Sequence, residues 1–205
     1  MLRIWGRTNS INVQKPLMAL EECGVPYERI DAGLHFGVNK TAEYMAMNPN
    51  AVVPTIDDDG FILWESNAIA RYVARKYGNG KLWPTDVRAQ ADQDRWIDWQ
   101  HTTLVAPINA CFAPLIRNMG DTRPEAIEAG RAKAEEKLAM LDAWLAGKAW
   151  IGGDFFGCAE CVLGPSVHRW YHLPVERKTH ENVERWLKAL MSRPSARKVI
   201  VEPIS

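Results

Sequence analysis

Strand-like alternation comes first along this chain, and helical spacing takes over afterwards. "LRIWG", at residues 2–6, reads as a short buried strand, and a polar turn follows over residues 6–9. Apolar residues then recur at helical spacing across residues 10–23, through Ile11, Val13, Leu17, Met18 and Leu20. Gly24 stands where a C-terminal cap is expected, with Pro26 just beyond. "YERID" predicts a second strand, and "TAEYMAMN" a short helix stopped before Pro49. From Val52 to Trp64 two apolar runs flank Asp57–Gly60, whose aspartates and glycine supply turn chemistry. That is a hairpin, and a helix over residues 66–77 follows it. Strand, helix, strand, helix, hairpin, helix is an α/β unit large enough for one sheet with helices on it.

Beyond "GNGKLWPTD" strand signals nearly vanish. Residues 86–118 form a long helical tract with a stripe through Trp96, Trp99, Thr103 and Ala106, and Pro107 should kink it. In residues 122–147 Asp121 or Thr122 is the expected cap and Pro124 lies in the first turn. Ile127, Ala134, Leu138, Leu141 and Leu145 share one face there, and Gly147 ends the helix. "CAECVLGPSVHRWYHL" and "HENVERWLKALMS" add two helices, the second stopped before Pro194. The pattern predicts an α/β unit over residues 1–78, a linker over 79–86, and an all-α unit of about five helices over 87–205.

Composition changes this picture by exclusion. The chain has 205 residues, 47% of them hydrophobic, enough to bury a core. Lysine plus arginine and aspartate plus glutamate number 25 each, so no net field draws it to nucleic acid or anionic lipid. No apolar stretch approaches a membrane span or a signal-peptide core, and four cysteines do not make a disulfide framework. The expectation is a soluble cytoplasmic protein.

Two stretches carry candidate chemistry. Pro54 removes a ladder donor and leaves Val53 able to pair with an extended peptide. Glu65 and Ser66 open a helix, whose free N–H groups favour a carboxylate while the acidic side chain favours an ammonium. Together they suit an amino-acid head group, or they only cap the helix. In "GRTNSINVQK" the short polar residues Thr8, Ser10 and Asn12 sit at another helix start. They either cap it or hold an anion against the helix dipole.

"VVPT" followed by "ESNAI", with "NSINVQK" near the start and "GPSVHRWYHLP" and "RPSARKV" later, resembles the soluble glutathione transferases. The similarity is to bacterial members with a catalytic serine, near the theta and phi classes, and covers essentially the whole chain. It implies a thioredoxin-like first domain, a helical second one, and a cytoplasmic homodimer with a detoxifying role. It also implies glutathione as co-substrate, with no metal, and a small hydrophobic electrophile as its partner. Peroxide or disulfide reduction by the same bound thiolate, or binding without catalysis, are the other activities such a scaffold allows. By the resemblance, Ser10 would hydrogen-bond the glutathione sulfur with Asn12 near it, and Thr8 or Asn9 could share that role. The Val53–Pro54 bond would be cis, with Val53 pairing the cysteinyl backbone. Glu65 and Ser66 would receive the γ-glutamyl ammonium and carboxylate, and Lys40 the glycyl carboxylate. The electrophile would sit between the first loop and the long helix, near Ile11, Phe36, Asn109 and Phe112.

The chain departs from the family pattern at two places. Val52 stands where phi-like members often carry glutamine. Gly157 stands where the helix-capping box usually has serine or threonine, although Glu160 can still cap. Cys158 and Cys161 have CxxC spacing, but in the helical part, where a folding role outweighs a redox one. Cys23 reads as a core residue, and His168, beside Trp170 and Tyr171, as structural and not a general base.

Overall fold

The computed structural model describes residues 1–201 and Ile204; residues 202, 203 and 205, the end of the expected second unit, lie outside the described residues. The strands and α-helices of the first part are β1 (Leu2–Trp5), α1 (Ile11–Cys23), β2 (Tyr27–Ile30), α2 (Ala42–Met47), β3 (Thr55–Asp58), β4 (Phe61–Trp64) and α3 (Ser66–Tyr77). The sheet order is β2-β1-β3-β4, with β1 parallel to β2 and the other pairs antiparallel. α1 and α3 cover one face through Val13, Leu17, Ile69 and Val73. α2 covers the other, where Trp5, Ala32 and Tyr44 form a small second core.

The hairpin is shorter than the apolar run suggests, because β3 begins at Thr55 and not at Val52. Pro54 cannot donate to a ladder, so the chain before it is held otherwise. The Val52 carbonyl accepts from the Tyr44 hydroxyl at 2.6 Å and from Asn48 Nδ2 at 3.0 Å.

Register places the site. Trp5 pairs with Ile30 and Thr55, and Thr55 pairs with Trp64. The chain leaving β1 (residues 6–10), the chain leaving β2, the chain entering β3 (Val53–Pro54) and the chain leaving β4 (Glu65–Ser66) therefore meet at one end of the sheet.

Helices make up the rest: α4 (Val87–Trp99), α5 (Val105–Arg117), α6 (Pro124–Leu145), α7 (Cys158–Tyr171), α8 (Glu181–Met191) and α9 (Pro194–Val199). α8 ends at Met191, before Pro194 as expected, and Pro194 itself opens α9, where its missing N–H is no loss. Two expectations need correction. The long tract is interrupted by a π-helical segment, Gln100–Leu104, and Pro107 lies in the first turn of α5 just after it. Proline cannot donate to the carbonyl four residues back, so a wider turn just ahead of it relieves the ladder. The buried stripe then runs through Trp96, Ile97, Gln100, Leu104 and Ile108, while Thr103 is half-buried and Ala106 exposed. The cap of α6 also shifts by one residue: Arg123 holds the capping position, and Asp121 Oδ1 accepts its backbone N–H at 3.1 Å.

α7 is buried from Cys158 to Trp170 and forms the centre of the helical part. Its N-terminus explains Gly157. A Cβ there would lie 2.3 Å from Gln93 Oε1, and that oxygen accepts the Ala159 N–H at 2.9 Å. Glutamine from α4 thus does the capping that a serine or threonine side chain would do. Glu160 completes it, its two oxygens accepting from Ile151 N at 2.6 Å and Gly157 N at 2.8 Å. Cys158 and Cys161 are free and fully buried, and burial pushes both thiols up, the opposite of what a redox cysteine needs. No helix of the described residues is long and apolar enough to cross a membrane.

Candidate active site

The turn between β1 and α1 is held at several points. Gly6 N donates to the Ile30 carbonyl at 2.9 Å, the Gly6 carbonyl accepts from Arg29 Nη1 at 2.9 Å, and Gln14 Nε2 donates to the Thr8 carbonyl at 2.8 Å. A Cβ on Gly6 would lie 2.4 Å from Val13 Cγ2, so only glycine lets α1 pack this close. This frame delivers Ser10 to the start of α1 in an extended conformation, 6% exposed. Ser10 holds the N-cap position, but its side chain makes no capping bond, and the residue lines a cavity of about 230 Å³.

Glu65 and Ser66 behave similarly. Glu65 has φ 71°, a left-handed conformation that a residue with a Cβ rarely holds, and it makes no capping bond. Such a conformation costs on the order of 1–3 kcal/mol and gathers at functional positions. Ser66, at the first position of α3, is buried at the same end of the sheet. The Val53–Pro54 bond is cis. Val53 lies outside the strands, and its backbone N–H and carbonyl have no partner among the described residues.

The expected residues fall into two groups. Ser10, Ile11, Asn12, Asn109 and Phe112 line the one cavity together. Val53, Pro54, Glu65 and Ser66 lie along the neighbouring strand ends, and exposed Lys40 ends the 3-10 turn Val38–Lys40 in the loop after β2. Phe36 does not join the cavity. Gly33 and Gly37, both at positive φ, reverse the chain around Leu34–Phe36, and the Phe36 ring rests on His35 with centroids 4.0 Å apart.

Several residues of the site were not singled out from the sequence. Arg7, Arg117 and Arg169 line the Ser10 cavity, so its wall is basic as well as apolar. Lys15 is fully buried beneath it, donating to Asn12 Oδ1 and Gln100 Oε1, each at 3.1 Å. A lysine at a buried position of an otherwise apolar helix face was the available signal for Lys15. For the arginines, on three separate elements, there was none.

Burial, and then the Arg169 charge, push the Lys15 ammonium down to about 7, with Glu65 opposing. Between that value and the usual 10.5 the unfolded chain binds a proton that the native protein releases. Stability should therefore rise with pH across that window, by about 1.4 kcal/mol per pH unit from this group. Denaturant titrations from pH 7 to 9 should show that slope, and Lys15→Met should lose it. Parallel pH dependences in the two proteins would contradict the assignment.

Comparison with known proteins agrees with this fold. The family model described as glutathione S-transferase, N-terminal domain, matches residues 1–75, and the one described as glutathione S-transferase, C-terminal domain, matches residues 96–194. The chain is 39% identical to the glutathione S-transferase GstB of Escherichia coli (strain K12) over 208 residues, covering 100% of both. It is 30% identical to the probable glutathione S-transferase GSTF2 of Oryza sativa subsp. japonica, covering 97% of this chain and 95% of the other. Among solved structures, it matches the theta class glutathione S-transferase of Xanthomonas axonopodis pv. citri with glutathione bound. That match has a TM-score of 0.93 and 36% identity, and covers 100% of this chain and 99% of the other. With both domain models matched and full-length relatives at these identities, the chain belongs to the glutathione S-transferase family.

Proposed function

We propose that this glutathione S-transferase binds glutathione along the end of the sheet where the four strand connections meet, and that Ser10 keeps its sulfur ionised. The observation that carries the reading is the Ser10 hydroxyl, which caps nothing and lines the cavity at the start of α1. A free thiol with pKa near 8.5 is only a few per cent thiolate at neutral pH, and lowering it by about two units takes about 2.7 kcal/mol. One hydroxyl donating to an anionic acceptor contributes roughly 1.5–3 kcal/mol, and a helix N-terminus adds about 0.3–1. Those contributions reach what is needed.

The rest of the peptide follows from the neighbouring groups. Val53 offers an unpaired backbone N–H and carbonyl to the cysteinyl segment. Glu65 takes the γ-glutamyl ammonium, Ser66 and the α3 N–H groups take its carboxylate, and Lys40 takes the glycyl carboxylate. Asn12, fixed by Lys15, stands beside the sulfur. In this reading residues 1–78 form the glutathione-binding domain, 79–86 the linker, and 87–205 the domain supplying the far wall through α5 and α7. Holding thiolate and electrophile together then supplies the acceleration. Family membership supports a cytoplasmic homodimer with a detoxifying role.

Glu65→Ala and Ser66→Ala should each weaken glutathione binding about tenfold in titration calorimetry, because each leaves a charged group poorly paired. Unchanged affinity in both variants would reject this placement of glutathione.

A further inference from the structure

Three arginines, Arg7, Arg117 and Arg169, share the Ser10 cavity, and none of the described residues lining it is an aspartate or glutamate. Arg169 is only 5% exposed. Its guanidinium carbon lies 3.7 Å from the centre of the Phe112 ring, and that of Arg117 lies 4.7 Å from the same ring. A ring face partly satisfies a cation but does not neutralise it. The Nε atoms of Arg7 and Arg169 are buried without a hydrogen-bond partner, and neither residue makes an ion pair among the described residues.

Arg7 and Arg169 contrast with Arg71 and Arg193, which are matched. Arg71 meets Asp94 at 2.6 Å and also Asp98, and Arg193 meets Glu22 at 2.7 Å. Here burial and the charges of Arg117 and Arg7 push Arg169 down to about 9, and burial with Arg117 lowers Arg7. Arg7 and Arg169 are thus buried charges without a counter-ion among the described residues, which weakens the fold, and an anion entering the cavity reverses that penalty. Arginine's planar fork suits a carboxylate in particular.

Resting on the glutathione reading above, the geometry points to an electrophile that carries a carboxylate, held by Arg7, Arg117 and Arg169 while the thiolate attacks. Ile11, Val105 and Phe112 supply an apolar wall for its carbon skeleton, and about 230 Å³ admits one small substituted ring. With a chloronitrobenzoate the thiolate sulfur adds to the ring carbon bearing chlorine. The C–S bond forms, the C–Cl bond breaks, and chloride leaves with the bonding pair.

The test compares 4-chloro-3-nitrobenzoate with its methyl ester, which is the better electrophile in free solution. After division by the uncatalysed rates, kcat/KM should favour the acid at least about tenfold in the unmutated enzyme. Arg117→Gln and Arg7→Gln should each lower that acid-to-ester ratio by about tenfold. Turnover of the ester with no preference for the acid would overturn the inference and leave the transferase reading standing. An equal fall for both substrates with a raised KM for glutathione would also overturn it, because the arginines would then hold a glutathione carboxylate. Turnover of neither compound, with glutathione still bound, would sink the inference together with the conjugation chemistry it rests on.

Discussion

Ser10→Ala is expected to lower turnover at neutral pH by roughly tenfold to a thousandfold, the loss found when one donor to a developing anion is removed. Glutathione affinity should stay nearly intact, since the proposed peptide and head-group contacts lie at Val53, Glu65 and Ser66. Thermal stability should stay intact as well, because the hydroxyl makes no capping bond in the structure. Raising the pH should recover much of the lost rate, as solvent base then ionises the thiol that the hydroxyl no longer favours. A steady-state pH–rate profile of both proteins checks all of this. Wild-type turnover in the variant would move the role to Thr8, Asn9 or Asn12. A lower melting temperature with an unshifted profile would return Ser10 to the capping role.

Glu160→Ala carries the largest expected effect on stability. Its carboxylate is fully buried and receives the backbone N–H groups of Ile151 and Gly157. Truncation strands both donors in the interior at about 1–3 kcal/mol each, so a loss of roughly 3 kcal/mol is expected in denaturant unfolding. Burial pushes this carboxyl up to about 7 against the pull of its backbone hydrogen bonds. A raised native value means a stabilising contribution that is full below the usual 4.5 and lost as pH rises through about 7. The gap between the unmutated protein and Glu160→Ala should therefore narrow over that interval. Glu160→Gln should fall between the two, because its amide keeps one acceptor and turns a donor toward the other N–H. Unfolding midpoints that coincide would show that Gln93 caps α7 without help.

Local chemistry is what made part of this legible in advance. The aspartates and glycine before Phe61 marked the hairpin turn, Gly24 marked the end of α1, and Ser66–Tyr77 followed directly from apolar spacing. The candidates Val53, Pro54, Glu65 and Ser66 stood out for the same reason, since "VVPT" is the short connection entering β3 and "ESNAI" runs from the end of β4 into α3. What stayed hidden depends on contacts between distant elements. No local pattern announces that Gln93 from α4 will cap α7, so Gly157 reads only as a weakened cap. The π segment replaces ordinary helix over five residues whose side chains look unexceptional, and the stripe through Thr103 and Ala106 was misplaced accordingly. Arg7, Arg117 and Arg169 lie on a loop, on α5 and on α7, and the packing of α1 and α5 against α7 brings them to one cavity. A cavity assigned from Ile11 and Phe112 alone reads as apolar; with the arginines it reads as a site for an anion.

The central claim is that the protein lowers the pKa of bound glutathione through Ser10. Titrating the thiolate absorbance of glutathione bound to the unmutated enzyme, alongside Ser10→Ala, measures this directly. The bound thiol should titrate about two units below the free value near 8.5, and return most of the way to that value in the variant. A bound thiol that titrates like free glutathione in the unmutated enzyme would contradict that claim.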